Sequence, residues 1–542
     1  MKEIIREVVR SALQRAGLPD TNEIILERPR SAGHGDWTTT VALTLAKAAR
    51  QKPRDLAGAI AAQLQPDPGL IAKVEVAGPG FINFTMAEGF FRTRVKEILA
   101  AGPGFGRTTS GQGKKVQVEF VSANPTGPLT VGHGRGAVYG DTVARLLEWT
   151  GHQVTREYYF NNAGRQMRIL GDSVRLRYLE LLGDPVTFPD DYYQGEYIRE
   201  IASHLRDRHG DTLRGEPAEG RFKDQAEEEI FADIRKTLGS LGIEFASYFN
   251  EYSLYTDGKI TAVIDDLRSR GLVYELDGAV WFKVSALGND KDKVIVKSTG
   301  EPTYRLPDIA YHRTKYARGY DLMIDIFGAD HVATYPDVVA ALKALGYDTD
   351  RLKVLIHQFV TITQGGEVVK MSTRKANFIT LDELIAEVGA DVVRYFFLMR
   401  TIASHLNFDL AIAKKQSDEN PVYYLQYAHA RICSILRYAA ETGTTPGGAD
   451  PALLVHPAEL ELLRSLVQLP DVIETCSSNH EPHHLADYLH VTATLFHKFY
   501  HECRVVTDDK PLTSARVALC EATKIVLANG FAVLGITAPE QM

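Results

Sequence analysis

The chain has 542 residues, 44% hydrophobic and 24% charged, which is the balance of a globular protein and excludes a disordered or collagen-like one. That length leaves room for about three or four domains. The net charge of −8 excludes a uniformly basic nucleic-acid coat but not a local basic track, since residues 1–110 hold 15 Lys/Arg against 11 Asp/Glu (+4) and the remainder carries −12. No apolar run approaches twenty residues, so no membrane partner is expected. The cysteines Cys433, Cys476, Cys503 and Cys520 all lie in the last quarter without a C-x-x-C spacing. They read as buried free thiols, with no disulfide framework and no structural zinc.

The opening MKEIIREVVRSALQRAG places Ile4, Val8, Val9 and Leu13 on one helical face among charges of both signs. It reads as neither a signal peptide nor a transit peptide, and a cytoplasmic address is expected. A strand-like EIILERPR, a turn from Ser31 to Trp37 and a helix VALTLAKAARQ follow. VEVAGPGFINFTM reads as two strands about the bend Gly78-Pro79-Gly80, and FFRTRVKEILAAG as a closing helix. Residues 1–110 therefore predict a small α+β domain, and GPGFGRTTSGQGKK reads as a linker.

The chemistry centres on VQVEFVSANPTGPLTVGHGRGAVYGD, Val116 to Asp141. Val116, Val118 and Phe120 alternate with Gln117, Glu119 and Val121 as in a strand. A polar Gly/Pro turn from Ser122 to Pro128 leads through Thr130-Val131-Gly132-His133-Gly134 into a helix. Strand, turn and helix make half of a nucleotide-binding βαβ unit, whose ligands lie beyond strand carboxyl ends and at helix N-termini. Gly132 and Gly134 would let phosphates approach the backbone, and His133 could donate to an anion there. HQVTREYYFNN supplies another strand, and residues 162–255 read as a charged helical insertion. DLMIDIFG, ending at Gly328-Ala329-Asp330-His331, and KVLIHQFVTI each read as a buried strand. Residues 111–405 thus predict a Rossmann-type parallel-sheet domain with a helical insertion, and residues 406–542 an all-α bundle. The fold class is multidomain α/β.

The Thr130–Gly134 segment resembles the His-Ile-Gly-His signature of class I aminoacyl-tRNA synthetases. Lys370-Met371-Ser372-Thr373-Arg374, in the glycine-bearing loop TQGGEVVKMSTRKAN, resembles their Lys-Met-Ser-Lys-Ser signature. SANPTGPL, GADVVRYFFL and NPVYYLQYAHARICSI resemble arginyl-tRNA synthetases in particular, and the likeness covers essentially the whole chain. It implies activation of L-arginine with ATP and transfer to tRNA(Arg), with Mg2+ accompanying the ATP, no DNA partner and a monomeric state. Catalytic roles are implied for His133, Lys370, Thr130 and Gly132, and ATP contact for Gly134, Met371, Ser372, Arg374, Asp330 and His331. A guanidinium needs planar acceptors, ideally carboxylates. The resemblance assigns it Glu119, Ser122, Asn124, Tyr304 and Asp308. Tyr304 and Asp308 share a face if their segment is helical, with Pro307 confined to its first turn. Contact with tRNA is implied for His34, Asp36 and Thr40 in the first domain and for Tyr423, Tyr427 and Met542 in the last.

Four positions depart from the family pattern: Thr130 and Val332 replace histidines, Thr373 a lysine, and Thr40 an asparagine. Thr130 keeps a donor but no charge, and Thr40 replaces an amide able to read a base edge. An adenylate-forming enzyme that uses no tRNA would need neither flanking domain. A non-catalytic tRNA-binding relative would not need His133, Lys370, Glu119 and Asp308. His480-Glu481-Pro482-His483-His484 matches H-E-x-x-H in spelling, but Pro482 marks a helix start, so both histidines cannot lie one turn apart in one helix. His497, His501 and Cys503 fit an amphipathic helix better than a metal site. Gly111-Gln112-Gly113-Lys114 is too short for a P-loop and precedes a strand.

Overall fold

Parallel strands must be joined by crossovers, and the order in which they assemble decides where a crevice opens. The computed structural model describes every residue except 1, 20, 22, 23, 30, 31, 370–378 and 446. In the first domain β1 (Leu26–Glu27), β2 (Trp37–Thr39), β3 (Ile71–Ala77) and β4 (Phe81–Met86) form an antiparallel sheet of order β1-β2-β4-β3. Helices Lys2–Arg15, Val41–Ala49, Pro53–Ala62 and Glu88–Ala101 complete it. Among the described residues of the strand-like EIILERPR, only Leu26 and Glu27 pair with a neighbouring strand. Gly35 sits at φ +82°, and a Cβ there would fall 2.7 Å from the Phe84 carbonyl oxygen, so the turn needs glycine.

The stretch 102–114 is not a free linker. Asn529 donates from its side chain to the carbonyls of Gly102 (3.0 Å) and Phe105 (2.8 Å), and Gly106 packs on Leu469 and Ile473. The turn residues that suggested flexibility instead let the backbone lie flat on the C-terminal helices.

The chain continues through β5 (Lys115–Glu119), β6 (Gln153–Phe160) and β7 (Ser247–Asn250). Next come β8 (Val273–Leu276), β9 (Ala279–Phe282) and β10 (Lys293–Val296), a small antiparallel sheet that the sequence reading missed. β11 (Leu322–Gly328) and β12 (Leu352–His357) then join the first three in an all-parallel sheet of order β12-β11-β5-β6-β7. The strand order reverses between β5 and β11, which is the switch point at which doubly wound sheets bind ligands. Helices Gly164–Leu181, Glu196–His209 and Arg221–Ser240 lie between β6 and β7. KVLIHQFVTI, read as one strand, is two: it breaks at Gln358-Phe359, and β13 (Val360–Gln364) leaves for a separate sheet with β14 (Glu367–Val368) and β15 (Leu406–Asp409).

Helices Pro421–Glu441, Pro457–Leu466, Leu469–Asn479, His483–Glu502 and Lys510–Leu534 form the bundle. By length and composition the last could cross a bilayer, contrary to the sequence reading, but 72% of its apolar window is buried within the protein. All four cysteines are buried and free.

Helix Val131–Trp149, which follows β5, is buried along nearly its whole length. Asp141 in its middle is met by Arg394 (2.7 Å), Arg145 (2.7 Å) and Arg156 (3.1 Å). Burial pushes the Asp141 carboxyl up, but the three guanidiniums outweigh it and hold it below its ordinary range. Arg394, fully buried, also donates to the carbonyls of Leu534 and Leu241 at 2.8 Å each. On the same helix Arg135 donates to the carbonyls of Gln358, Ser404 and Thr401 at 2.8–3.0 Å.

Asp141→Asn strands the buried Arg394 charge and is expected to cost about 3–5 kcal/mol, since one partner of a buried pair is left uncompensated. Urea unfolding followed by tryptophan fluorescence checks this. An unchanged midpoint would mean that the carbonyls alone satisfy Arg394.

Candidate active site

The carboxyl ends of the parallel strands bring the site together. β5 ends at Glu119, and the chain then turns sharply: the Ser122 N–H donates to the Phe120 carbonyl at 3.0 Å about Val121 at φ 68°. A β-branched residue with positive φ is a strained conformation, here closing a γ-turn. The turn aims the Ser122 hydroxyl at Glu119 Oε1 (3.0 Å), while its oxygen accepts from the Tyr159 N–H (3.2 Å). Asn124 completes the seam, accepting from the Asn161 N–H (3.0 Å) and donating to Gln166 (2.8 Å). Ser122 and Asn124 therefore tie the end of β5 to the end of β6.

Glu119 is 2% exposed and already partnered: Lys315 Nζ lies 2.5 Å from its Oε2. Lys315 also meets Asp325 at 2.6 Å, on the adjacent β11 in register with Glu119. His312 Nε2 lies 2.7 Å from the other Asp325 oxygen. Asp325 is held near 2, Lys315 and His312 together overcoming its burial, whereas burial leaves Glu119 raised against the pull of Lys315.

Asp308 lies on helix Arg305–Ala317, four residues before His312. Among the described residues nothing hydrogen-bonds or ion-pairs its carboxylate. Desolvation, opposed by His312 and reinforced by Glu119 and Glu251, pushes it up to about 7. Glu251, just beyond β7, accepts from Tyr159 (2.6 Å), Asn161 (2.8 Å) and Tyr255 (3.3 Å). The sequence reading missed Glu251, because nothing local distinguishes a glutamate after a short strand. Tyr304 does not join Asp308: it caps the helix start and is 75% exposed.

Thr130 is the N-cap of helix Val131–Trp149 and His133 its N3 residue. The Thr130 N–H donates to His133 Nδ1 (3.1 Å), and the Thr130 hydroxyl lies 3.2 Å from the same nitrogen. An amide can only donate, so the neutral ring carries its proton on Nε2. Burial lowers the imidazole below its ordinary value, against the pull of Asp330. A Cβ on Gly132 would meet only the Thr130 hydroxyl, at 3.6 Å, whereas one on Gly134 would strike Leu381 at 2.6 Å. Gly134 is a packing residue.

Asp330 and His331 follow β11, both largely exposed, 3.7 Å apart, with His331 stacked on Phe327. His357, at the end of β12, lies close against Gly136 of the signature helix, and burial lowers it to about 4. Lys370, Met371, Ser372, Thr373 and Arg374 lie outside the described residues. The segment resumes beside the signature: Thr380 bridges Thr130, and the Leu381 N–H donates to the Leu129 carbonyl at 2.8 Å.

The outer candidates divide. His34 is exposed, while Asp36 is engaged, accepting from the Met86 N–H (2.8 Å) and facing Arg464 (3.7 Å). Thr40 caps helix Val41–Ala49 by position, without a side-chain hydrogen bond. Tyr423 and Tyr427 stack on one helix face, centroids 6.2 Å apart, beside Arg431, and Met542 is 55% exposed. His480 terminates one helix in a left-handed conformation and His483 begins the next, so H-E-x-x-H does not form its zinc geometry. Glu481, His483 and His484 do bring possible ligand atoms within 4.8 Å of one another.

The profile described as the class I (R) tRNA synthetase catalytic domain matches residues 94–194 and 213–394. The chain belongs to the arginyl-tRNA synthetase family. The family's N-terminal domain matches residues 3–86 and the DALR anticodon binding domain residues 425–542. An arginine--tRNA ligase of Desulfotalea psychrophila is 51% identical over 547 residues, covering 100% of this chain and 99% of its own. One from Salinibacter ruber is 50% identical over 562 residues, covering both chains completely. The Thermus thermophilus arginyl-tRNA synthetase structure superposes with a TM-score of 0.79 at 22% identity over both full lengths, a likeness of fold.

The titration of Asp308 has a sign that stability measurements can read. The unfolded chain loses this proton near 3.8 and the folded chain near 7. Between those values the folded state binds the extra proton, so stability falls as pH rises through the window. Asp308→Asn removes that loss. Its thermal midpoint is expected to climb relative to wild type between pH 4 and about 7. A difference that stays flat with pH would show that Asp308 is not held protonated.

Proposed function

We infer that the chain forms arginyl-adenylate from L-arginine and ATP and passes the arginyl group to tRNA, releasing AMP and pyrophosphate. The observation that carries the residue roles is the unpartnered Asp308 beside Glu251, opening on the crevice that His133 borders. In the first step the arginine carboxylate attacks the α-phosphorus, forming a C–O–P linkage as the bond to pyrophosphate breaks. In the second a ribose hydroxyl at the tRNA 3′ end attacks the carbonyl carbon and AMP leaves. Neither step asks for a protein nucleophile, so the side chains orient reactants and meet charge.

Asp308 takes the guanidinium as an ionised carboxylate, with Glu251 as the second acceptor. Ser122, Asn124 and Glu119 frame the pocket through the seam between β5 and β6. His133 donates from Nε2 to phosphate at a helix N-terminus, where the dipole favours the same anion. Lys370 is proposed, from the matching signature, to meet departing pyrophosphate, its loop tethered at Thr380 beside Thr130. Magnesium travels with ATP as a counter-ion, and exposed Asp330 is the carboxylate at that edge able to meet its water shell. The stacked Tyr423 and Tyr427 with Arg431 offer a platform for anticodon bases, and His34 a contact in the first domain.

Pyrophosphate exchange with each of the twenty amino acids, with and without tRNA, tests the reading. Arginine alone is expected to support it, with tRNA present; strong exchange with another amino acid would overturn the substrate. Asp308→Asn is expected to weaken kcat/KM for arginine about 30- to 5,000-fold, the cost of unpairing a desolvated charge, with ATP affinity unchanged. Equal losses for both substrates would make Asp308 structural.

His133→Ala is expected to slow single-turnover adenylate formation about 100-fold or more, by loss of a donor at developing charge. Thr130→Ala keeps the backbone N–H that orients His133, so its loss is expected to be about tenfold at most. If Thr130→Ala is as slow as His133→Ala, the hydroxyl itself meets the nucleotide.

A further inference from the structure

A lysine with no exposure is a poor way to stabilise a protein, because an apolar side chain of similar size fills the same space without desolvating a charge. Lys315 is 0% exposed and lies directly beneath the crevice. Its contacts hold it in one place: Glu119 at 2.5 Å, Asp325 at 2.6 Å and the face of Tyr311 with centroid 4.4 Å away. From Glu119 the connections run to the pocket wall, through the Ser122 hydroxyl, the Tyr159 backbone, and the Tyr159 hydroxyl on Glu251. The same helix carries Asp308.

We propose that Lys315 is a positioning residue for arginine: a resident ammonium that offsets Glu119 and Asp325 beneath the pocket, keeps Glu119 ionised against Ser122, and so leaves the carboxylates that face the crevice to the guanidinium. This rests on the arginine reading above. With Asp308 and Glu251 facing the ligand, the buried trio of Glu119, Asp325 and Lys315 carries one net negative charge. Without Lys315 it carries two, and one carboxylate is driven to take up a proton. A protonated Glu119 changes what it offers Ser122, and the γ-turn and Tyr159 lose their register. Removing Asp325 instead leaves the trio neutral, which weakens attraction for a cation.

The test is a charge-balance cycle on the full chain, with tRNA present, reading KM for arginine and for ATP in pyrophosphate exchange, with thermal midpoints recorded alongside. Lys315→Met and Asp325→Asn are each expected to raise the arginine KM about tenfold or more, with the ATP KM within about threefold. The double variant leaves Glu119 as the one ionised carboxylate of the floor, so the wild-type net charge is kept with no second carboxylate to force a proton onto it. Adding Lys315→Met to Asp325→Asn is therefore expected to lower the arginine KM again, to within about threefold of wild type, although it removes a further buried contact. A purely structural lysine predicts the opposite, with the double variant worse than either single one. That result, or equal rises in both KM values, overturns the proposal. If Lys315→Met alone does not fold, the comparison of Asp325→Asn with the double variant still decides it, and a double variant that fails to fold counts against it. Wild-type exchange supported by a different amino acid overturns the substrate reading and this role with it. Arginine-dependent wild-type exchange with additive losses overturns only the role of Lys315.

Discussion

A carboxylate in the middle of a buried helix persists only where cations reach it, and Asp141 is reached by three. Arg156 comes from the parallel sheet, Arg145 from the next turn of the same helix, and Arg394 from a helix far along the chain. Arg394 then spends its other donors on carbonyls of the insertion and of the last helix. Five parts of the chain thus take their relative positions from one charge. Such a pair adds little net stability over apolar packing, but breaking it is costly, and that asymmetry defines the geometry. The helix held this way presents Thr130 and His133 at its N-terminus, so the aim of the imidazole depends on contacts made about two turns away.

The crevice separates its acidic groups into two kinds. Glu119 and Asp325 are engaged from below by Lys315, while Asp308 has no partner among the described residues and Glu251 is held only by neutral donors. The first pair builds the floor and the second faces the crevice. Val121 contributes through strain, because its left-handed turn puts Ser122 where both strands can use its hydroxyl. A relaxed extension of β5 would carry Ser122 to the wrong face of the sheet.

Much of this was readable in the sequence where local pattern and final environment agree. The turn after β5, the helix at Thr130, the parallel sheet with its helical insertion and the C-terminal bundle all follow from periodicity and turn chemistry. The alternation of β5 promised one polar face, yet both faces are buried, because a central parallel strand is covered on each side and its Gln117 and Glu119 are paired internally. KVLIHQFVTI gave no sign of its break, since an apolar run looks the same whether one sheet receives it or two. The glycines at 102–106 signalled freedom and delivered close packing. Motif position singled out His133 and Asp308, both of which lie along the crevice, but the engagement of Glu251 and Lys315 depends on contacts across the sheet and leaves no local trace. Gly134 is a related case: a missing side chain says that something comes near, and on the Cβ side that neighbour is Leu381.

The bond from Arg394 to the Leu534 carbonyl spans 140 residues, and Asn529 reaches back 427 residues to Gly102. A growing chain emerges from N- to C-terminus at about 5–20 residues per second, so roughly 7–28 s separate the synthesis of Arg394 from that of Leu534. During that interval the nucleotide-binding half can form its sheet, but Arg394 lacks one of its carbonyl acceptors and the 102–106 turn lacks its cover. Closure then falls to a long-range contact, which pays its loop entropy last. The helix Lys510–Leu534 thereby closes the packing around Arg394, and a nascent chain still missing it has the strands of an active site without the lock that aims them.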